Sequence, residues 1–326
     1  MKLTLLKNVA LGVCLAGTSL TAWAGPLQRA DVPAEPVWVL HLDCDALRAT
    51  TVGQYIQAEM AKPEAQAKLE VFHALFKLDL RTQLHGLTLY ATGPKPADGV
   101  LLMYADVDAQ WLVTLAKSAK DHQSTTHNQH QIHSWIEDKR ARGHSGYGMP
   151  RVYGAVLDNR IVIFGQLEAR VAETLDVLDH TAASLASTTN FAQLGAVSDA
   201  TFIQAAARKL DLPDSAPNAE LFRLTKQIRL QLGESSQQVK GTLSLDANDQ
   251  EVANQMASIL QGLIALMKLQ KDNPAAPKLA AALSVKQDGA SVTVQLALPA
   301  NDATDLMKAD ADRKAKARAG EESGKQ

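Results

Sequence analysis

Four histidines, His122, His127, His130 and His133, fall within twelve consecutive positions, with Asp121 beside the first and His144 further along. Imidazole is a good ligand for zinc, copper or nickel, so these residues are the candidate metal site of the chain. Their setting argues the other way. Residues 118–131 are polar and show no periodicity, so they read as a solvated loop that happens to be rich in His and Gln. No other cofactor is expected.

A second set, His41, Asp43 and Asp45, sits at the end of one strand pattern and has the types for acid–base work. No third partner for it follows from the sequence. Cys44 lies among them, and its place in the alternation makes it a small hydrophobe rather than a reactive thiol. The run Gly143-His144-Ser145-Gly146-Tyr147-Gly148 has the flavour of a nucleophile turn. Tyr147, however, stands where the second glycine of an elbow belongs, and a glycine-rich loop is the better description. Gly-x-Ser-x-Gly, Ser-x-x-Lys, His-Glu-x-x-His, a phosphate-binding loop and a dinucleotide fingerprint are all absent from the chain. No catalytic residue is therefore named, and a protein that is not an enzyme is the expectation.

The elements that must position these residues follow from periodicity. Val239, Gly241, Leu243 and Leu245 alternate with polar residues, as do Ile228, Leu230 and Leu232, which predicts half-buried antiparallel strands joined by a turn at Gly233–Ser236. Asn248 offers a cap, with Glu251 three residues on. Val252, Met256, Ile259, Leu260, Leu263 and Met267 then follow at helical spacing, until Pro274 and Pro277 end the run. Ala253 and Ala257 allow close approach to a sheet, and the two methionines are core or the roof of a lipid cavity. Leu283 to Leu298 alternates around Asp288-Gly289, a type I′ hairpin signal.

The same strand–strand–helix order recurs from about Leu84. One unit carries Leu87, Val100 and Trp111, and another carries Val152, Ile161 and Val171. In the strand before them, Trp38, Leu40, Leu42 and Cys44 form an apolar face opposite His41 and Asp43. Leu69, Phe72, Leu75 and Phe76 mark the inner side of a helix begun at Pro63. The expected fold is α+β: antiparallel sheets built from repeated ββα units, helices packed on one face, in two similar halves. The division is a signal peptide at 1–24, an N-terminal domain at 25–185, a C-terminal domain at 186–308, and a disordered or frayed helical tail at 309–326.

Composition narrows the function classes. A formal net charge of −2 over 326 residues gives no broad field for nucleic acid or anionic lipid, and 5% aromatic content gives no stacking platform. Lys2 and Lys7, the apolar run Val9–Leu20 and the small-x-small site Ala22-Trp23-Ala24 have the form of a secretory signal. Cleavage there leaves Cys44 alone in the mature chain, so no intrachain disulfide can form and the core must hold the fold. No later stretch reads as a transmembrane segment. A periplasmic or extracellular location is expected.

With that signal, the Trp38–Asp43 strand, the Leu84–Tyr90 strand and the Asp288-Gly289 hairpin, the chain resembles uncharacterised secreted proteins of Gram-negative bacteria. The resemblance implies an exported protein and assigns no catalytic residue. The expected function is non-catalytic binding of a protein or envelope component. A carrier or sensor of a small hydrophobic ligand or lipid ranks second, and metal binding through the His122–His144 region third.

Overall fold

The computed structural model describes residues 26–136, 151–195, 200–208, 223–270 and 273–323. The expected signal segment, the Gly143–Gly148 run and His144 lie outside them. The strands are β1 (Trp38–Asp43), β2 (Leu84–Ala91), β3 (Gly99–Ala105), β4 (Gln123–His127), β5 (His130–Ile136), β6 (Arg151–Leu157), β7 (Ile161–Gly165), β8 (Thr201–Arg208), β9 (Thr225–Ser235), β10 (Gln238–Ala247), β11 (Leu283–Asp288) and β12 (Ser291–Pro299). The helices are α1 (Cys44–Arg48), α2 (Thr51–Met60), α3 (Pro63–Phe76), α4 (Ala109–Ser118), α5 (Glu168–Leu178), α6 (Gln250–Leu269), α7 (Ala275–Ala282) and α8 (Ala300–Ser323). All the strands join one antiparallel sheet, ordered β11-β12-β10-β9-β8-β1-β2-β3-β7-β6-β5-β4. The fold is α+β.

Alternation along each strand sends neighbouring residues to opposite faces. On one face of the β1–β7 region, Val39, Tyr90, Leu102 and Ile163 pack against Val171 and Leu175 of α5. On the other, Met103, Val162 and Phe164 pack against Phe72 and Phe76 of α3 and Leu112 of α4. Helices therefore cover both faces here rather than one, because β3 and β7 carry apolar residues on both sides. In the β9–β12 region a single face is apolar. Leu245 and Val292 meet Ala253, Met256 and Ala257 of α6. Val239 meets Val52 of α2 and Ala300 of α8. The opposite face carries Lys240, Thr242 and Ser244 and stays polar.

Several local expectations change. The buried side of β1 is Val39, His41 and Asp43, while Leu40 is 37% exposed. His41 is tolerated inside because its Nδ1 lies 2.9 Å from the Thr88 hydroxyl of the neighbouring strand. Cys44 falls outside the alternation: it opens α1, half-buried, with Asp43 as the cap that accepts from the Ala46 amide. Residues 123–127 and 130–131, expected as loop, belong to strands β4 and β5, and Asn128 takes the left-handed turn conformation between them. The β9–β10 turn is Ser236-Gln237, both at positive φ, which leaves Gly233 inside the strand. A side chain at Gly233 would meet the Ala200 carbonyl at 2.4 Å. The β11–β12 loop is Gly289-Ala290, with Gly289 the residue at positive φ, so the hairpin is not of type I′. Asp249, not Asn248, caps α6 by accepting from the Val252 amide at 2.8 Å. Helix α8 continues to Ser323.

Helix α6 departs furthest. Its first turns are seated on the sheet, but Ile259, Leu263, Leu266 and Leu269 are 49%, 40%, 61% and 74% exposed. By length and composition its 20 residues, of mean hydropathy 1.2, are long and apolar enough to cross a membrane.

Candidate functional site

Three of the four predicted metal ligands lie on one hairpin, β4–β5, with His122 just before it, yet the four rings do not converge. His127 Nε2 is 2.8 Å from Asp176 Oδ1 on α5. His130 Nε2 lies 2.9 Å from both carboxylate oxygens of Asp179, at the C-terminal end of the same helix. His122 and His133 turn to each other instead, Nε2 to Nδ1 at 3.1 Å, with their rings stacked at 5.3 Å. Among the described residues no group of three or more His, Cys, Asp or Glu side chains is placed to hold a metal ion.

The His41–Asp43–Asp45 set also separates into structural contacts. His41 pairs with Thr88, and Asp43 caps α1. Asp45 holds Arg48 at 2.7 Å and His85 at 3.0 Å. Burial and the adjacent Asp45 carboxylate push Asp43 up from the usual aspartate value, although the Ala46 amide opposes them. The Cys44 thiol is pushed up to about 11, chiefly by burial. Cys44 is therefore not activated as a nucleophile at neutral pH, and Asp43 commits its carboxylate to the Ala46 amide.

What the fold does build is an apolar cavity of about 460 Å³ between α3 and α4 and one face of the sheet. Phe72, Leu75 and Phe76 line it from α3, and Leu112, Leu115 and Ala116 from α4. The floor is Met103, Val162 and Phe164, with Trp135 and Gly154 toward β5 and β6. Trp135 stands edge-on to Phe164, ring centroids 6.5 Å apart. Gly154 is needed there, since a Cβ on it would come within 3.3 Å of the Trp135 ring and 3.2 Å of the Ile163 carbonyl.

The cavity's roof is loosely seated. Neither α3 nor α4 contains a fully buried residue, and Leu75 is among the exposed large apolar side chains. The two helices are tied by the Trp111 indole donating to the Leu75 carbonyl at 2.8 Å, with the Lys77 ammonium 5.4 Å from the Trp111 ring centre. Lys77 itself ends α3 in the left-handed conformation. A wall of this kind encloses apolar surface without being locked to it.

Polar lining is sparse. The Ser118 hydroxyl is committed to the Leu115 carbonyl at 2.7 Å. His133 is 5% exposed and lines the cavity while holding His122. Burial holds its pKa below the usual 6.5, with His122 and Lys117 adding to the effect, so the ring is neutral at pH 7. The sequence had pointed to an apolar chamber beneath 252–267, and the cavity lies under α3 and α4 instead. The inner stripe Phe72–Phe76 was legible. The pairing of β5 with β4 was hidden because residues 118–131 look like loop.

No model of a known protein family matches the chain, and no curated protein matches it. Among solved structures, the chain is similar to crystal form I of TP0453, at 8% identity and a TM-score of 0.43, covering 88% of this chain and 99% of that one. Crystal form IV of TP0453 gives 10% identity and a TM-score of 0.43, covering 87% and 97% respectively.

Proposed function

We propose that the protein is a non-catalytic carrier or sensor of a small hydrophobic ligand, held in the cavity between α3–α4 and the sheet. The observation that carries this reading is the cavity itself. Its volume of about 460 Å³ lies within the range of roughly 300–1,000 Å³ usual for small-molecule sites. Apolar chambers stay dry and take up apolar guests, because water inside them finds no hydrogen-bond partners. The half-exposed helices over it give a route of entry. The sequence signal and the resemblance to secreted proteins support a periplasmic or extracellular place of work.

Fluorescence of a neutral apolar dye, N-phenyl-1-naphthylamine, tests the proposal. Binding to the wild-type chain is expected, and Ala116→Phe, which fills the chamber from α4, should weaken it at least about tenfold. Equal binding by both proteins would remove the cavity from the account.

A second reading, the binding of a protein or envelope component, is favoured by the exposed Ile259, Leu263, Leu266 and Leu269 on α6. Apolar rows of this kind mark contact surfaces. If they serve one here, Leu263→Gln with Leu266→Gln should abolish co-sedimentation with isolated envelopes while leaving the thermal midpoint unchanged. The finer architecture, two similar halves of ββα units, belongs with these proposals. Its support is the recurrence of β2–β3–α4, β6–β7–α5 and β9–β10–α6 in chain order. A fragment spanning 186–308 is expected to melt cooperatively by itself, and a non-cooperative melt would argue against the halves.

A further inference from the structure

The cavity has one polar feature that an apolar chamber does not need. A Phe or Leu at position 133 would complete the wall, yet a histidine stands there, 5% exposed, on the face shared with Trp135 and Gly154. Its Nδ1 is held by His122 Nε2 at 3.1 Å, and this is its one side-chain hydrogen bond among the described residues. A neutral imidazole has two ring nitrogens, one donor and one acceptor, so Nε2 can take a second partner. It is not one of the fully buried unpaired side-chain atoms among the described residues, so it is accessible to a ligand.

The electrostatics select the partner's sign. Lys117, at the end of α4, is the permanent charge acting on His133, and it is positive. The nearby carboxylate of Asp121 is engaged by Arg151, which also donates to the Ser134 hydroxyl at 2.9 Å. The polar end of the chamber therefore offers a hydrogen-bonding imidazole in a positive field, beside a wall suited to hydrocarbon.

We propose that the ligand is an acyl chain ending in a free carboxyl group, with the chain in the apolar chamber and the carboxyl on His133, positioned by His122. This deepens the carrier reading and rests on it. A carboxyl group fits either tautomer of the pair: as an acid it donates to Nε2, and as a carboxylate it accepts from it. Its arrival lets His133 become imidazolium, since an adjacent negative charge favours the charged form.

Displacement of N-phenyl-1-naphthylamine by dodecanoic acid and by its methyl ester separates the two readings. The wild-type chain should prefer the acid by about tenfold, the scale of one charge-assisted hydrogen bond. His133→Phe should bring acid and ester within about twofold while still binding the ester, and His133→Gln should restore part of the preference. His122→Phe, which removes the positioning contact and leaves His133 in place, should reduce the preference without abolishing it. Equal displacement by acid and ester in the wild type would overturn the carboxyl assignment and leave the apolar site standing. Failure of both competitors, with dye binding indifferent to Ala116→Phe, would overturn the carrier reading and this assignment together. Should His133→Phe lose its near-ultraviolet circular dichroism, the wild-type comparison and His122→Phe decide alone.

Discussion

His133 shows how little of a residue's role is written in its type. Four histidines close together in sequence suggested a shared ligand, yet the fold turns them in different directions. Two are paired with Asp176 and Asp179 on α5, and two are paired with each other. Which strand face each would occupy could not be read without recognising β4 and the first residues of β5 as strand. The depressed pKa of His133 has a consequence for stability. A base whose folded-state pKa lies below its unfolded value contributes stability that is fully present above the unfolded pKa. That contribution is lost as pH falls below about 6.5 and through the depressed value. The urea midpoint of the wild type should therefore fall between pH 7 and pH 5 more steeply than that of His133→Phe. Cys44 makes a second test at this scale. With its thiol pushed up to about 11, it should react with iodoacetamide at pH 8 about a hundredfold more slowly than an ordinary free thiol. Comparable rates would mean that the thiol is not shielded as described.

Elements were more legible than the residues that join them. The strand pairs around Val239–Leu245 and Val292–Leu298 follow directly from alternation, since period two with one polar side suits a sheet covered on one face. Turns were less legible, because Ser236-Gln237 adopts positive φ where Gly or Asn would have announced it. The cap of α6 was misplaced by one residue for a similar reason: Asn248 and Asp249 are both good caps, and only the backbone chooses. Asp249→Ala should cost about 1 kcal/mol in chemical denaturation and Asn248→Ala much less. The joint between α1 and α2 is tighter. A Cβ at Gly53 would lie 1.8 Å from the Leu47 carbonyl oxygen, so Gly53→Ala should destabilise by at least about 2 kcal/mol. Helices α3 and α4 stand at the other extreme. With no buried residue of their own, they should exchange amide hydrogens faster than α5, and a bound acyl chain should slow that exchange selectively.

At the scale of the whole molecule, one sheet joins the stretches on either side of position 185. The β1–β8 pairing and the Arg29 guanidinium, which donates to the carbonyls of Leu185, Thr188 and Asn190, bind the chain's early and middle segments together. Leu185, at the division expected between the two halves, is fully buried in a core cluster with Leu27, Val32 and Val39. The α+β class was legible because hydrophobic periodicity reports local burial. The cavity was not, because such a recess arises where two helices meet a sheet imperfectly, and no single segment encodes that gap. Loose α3–α4 packing on one flank and an exposed α6 row on the other are two places, among the described residues, where apolar surface is left uncovered. The first is a recess and the second a surface, which is why the ligand is assigned to the first. Native mass spectrometry of the full chain, isolated from its own cells without detergent, measures this directly. The account predicts a non-covalent adduct of a single acyl-chain acid that Ala116→Phe abolishes. A chain that flies bare, takes up no dodecanoic acid when it is added, and behaves as Ala116→Phe does would contradict it.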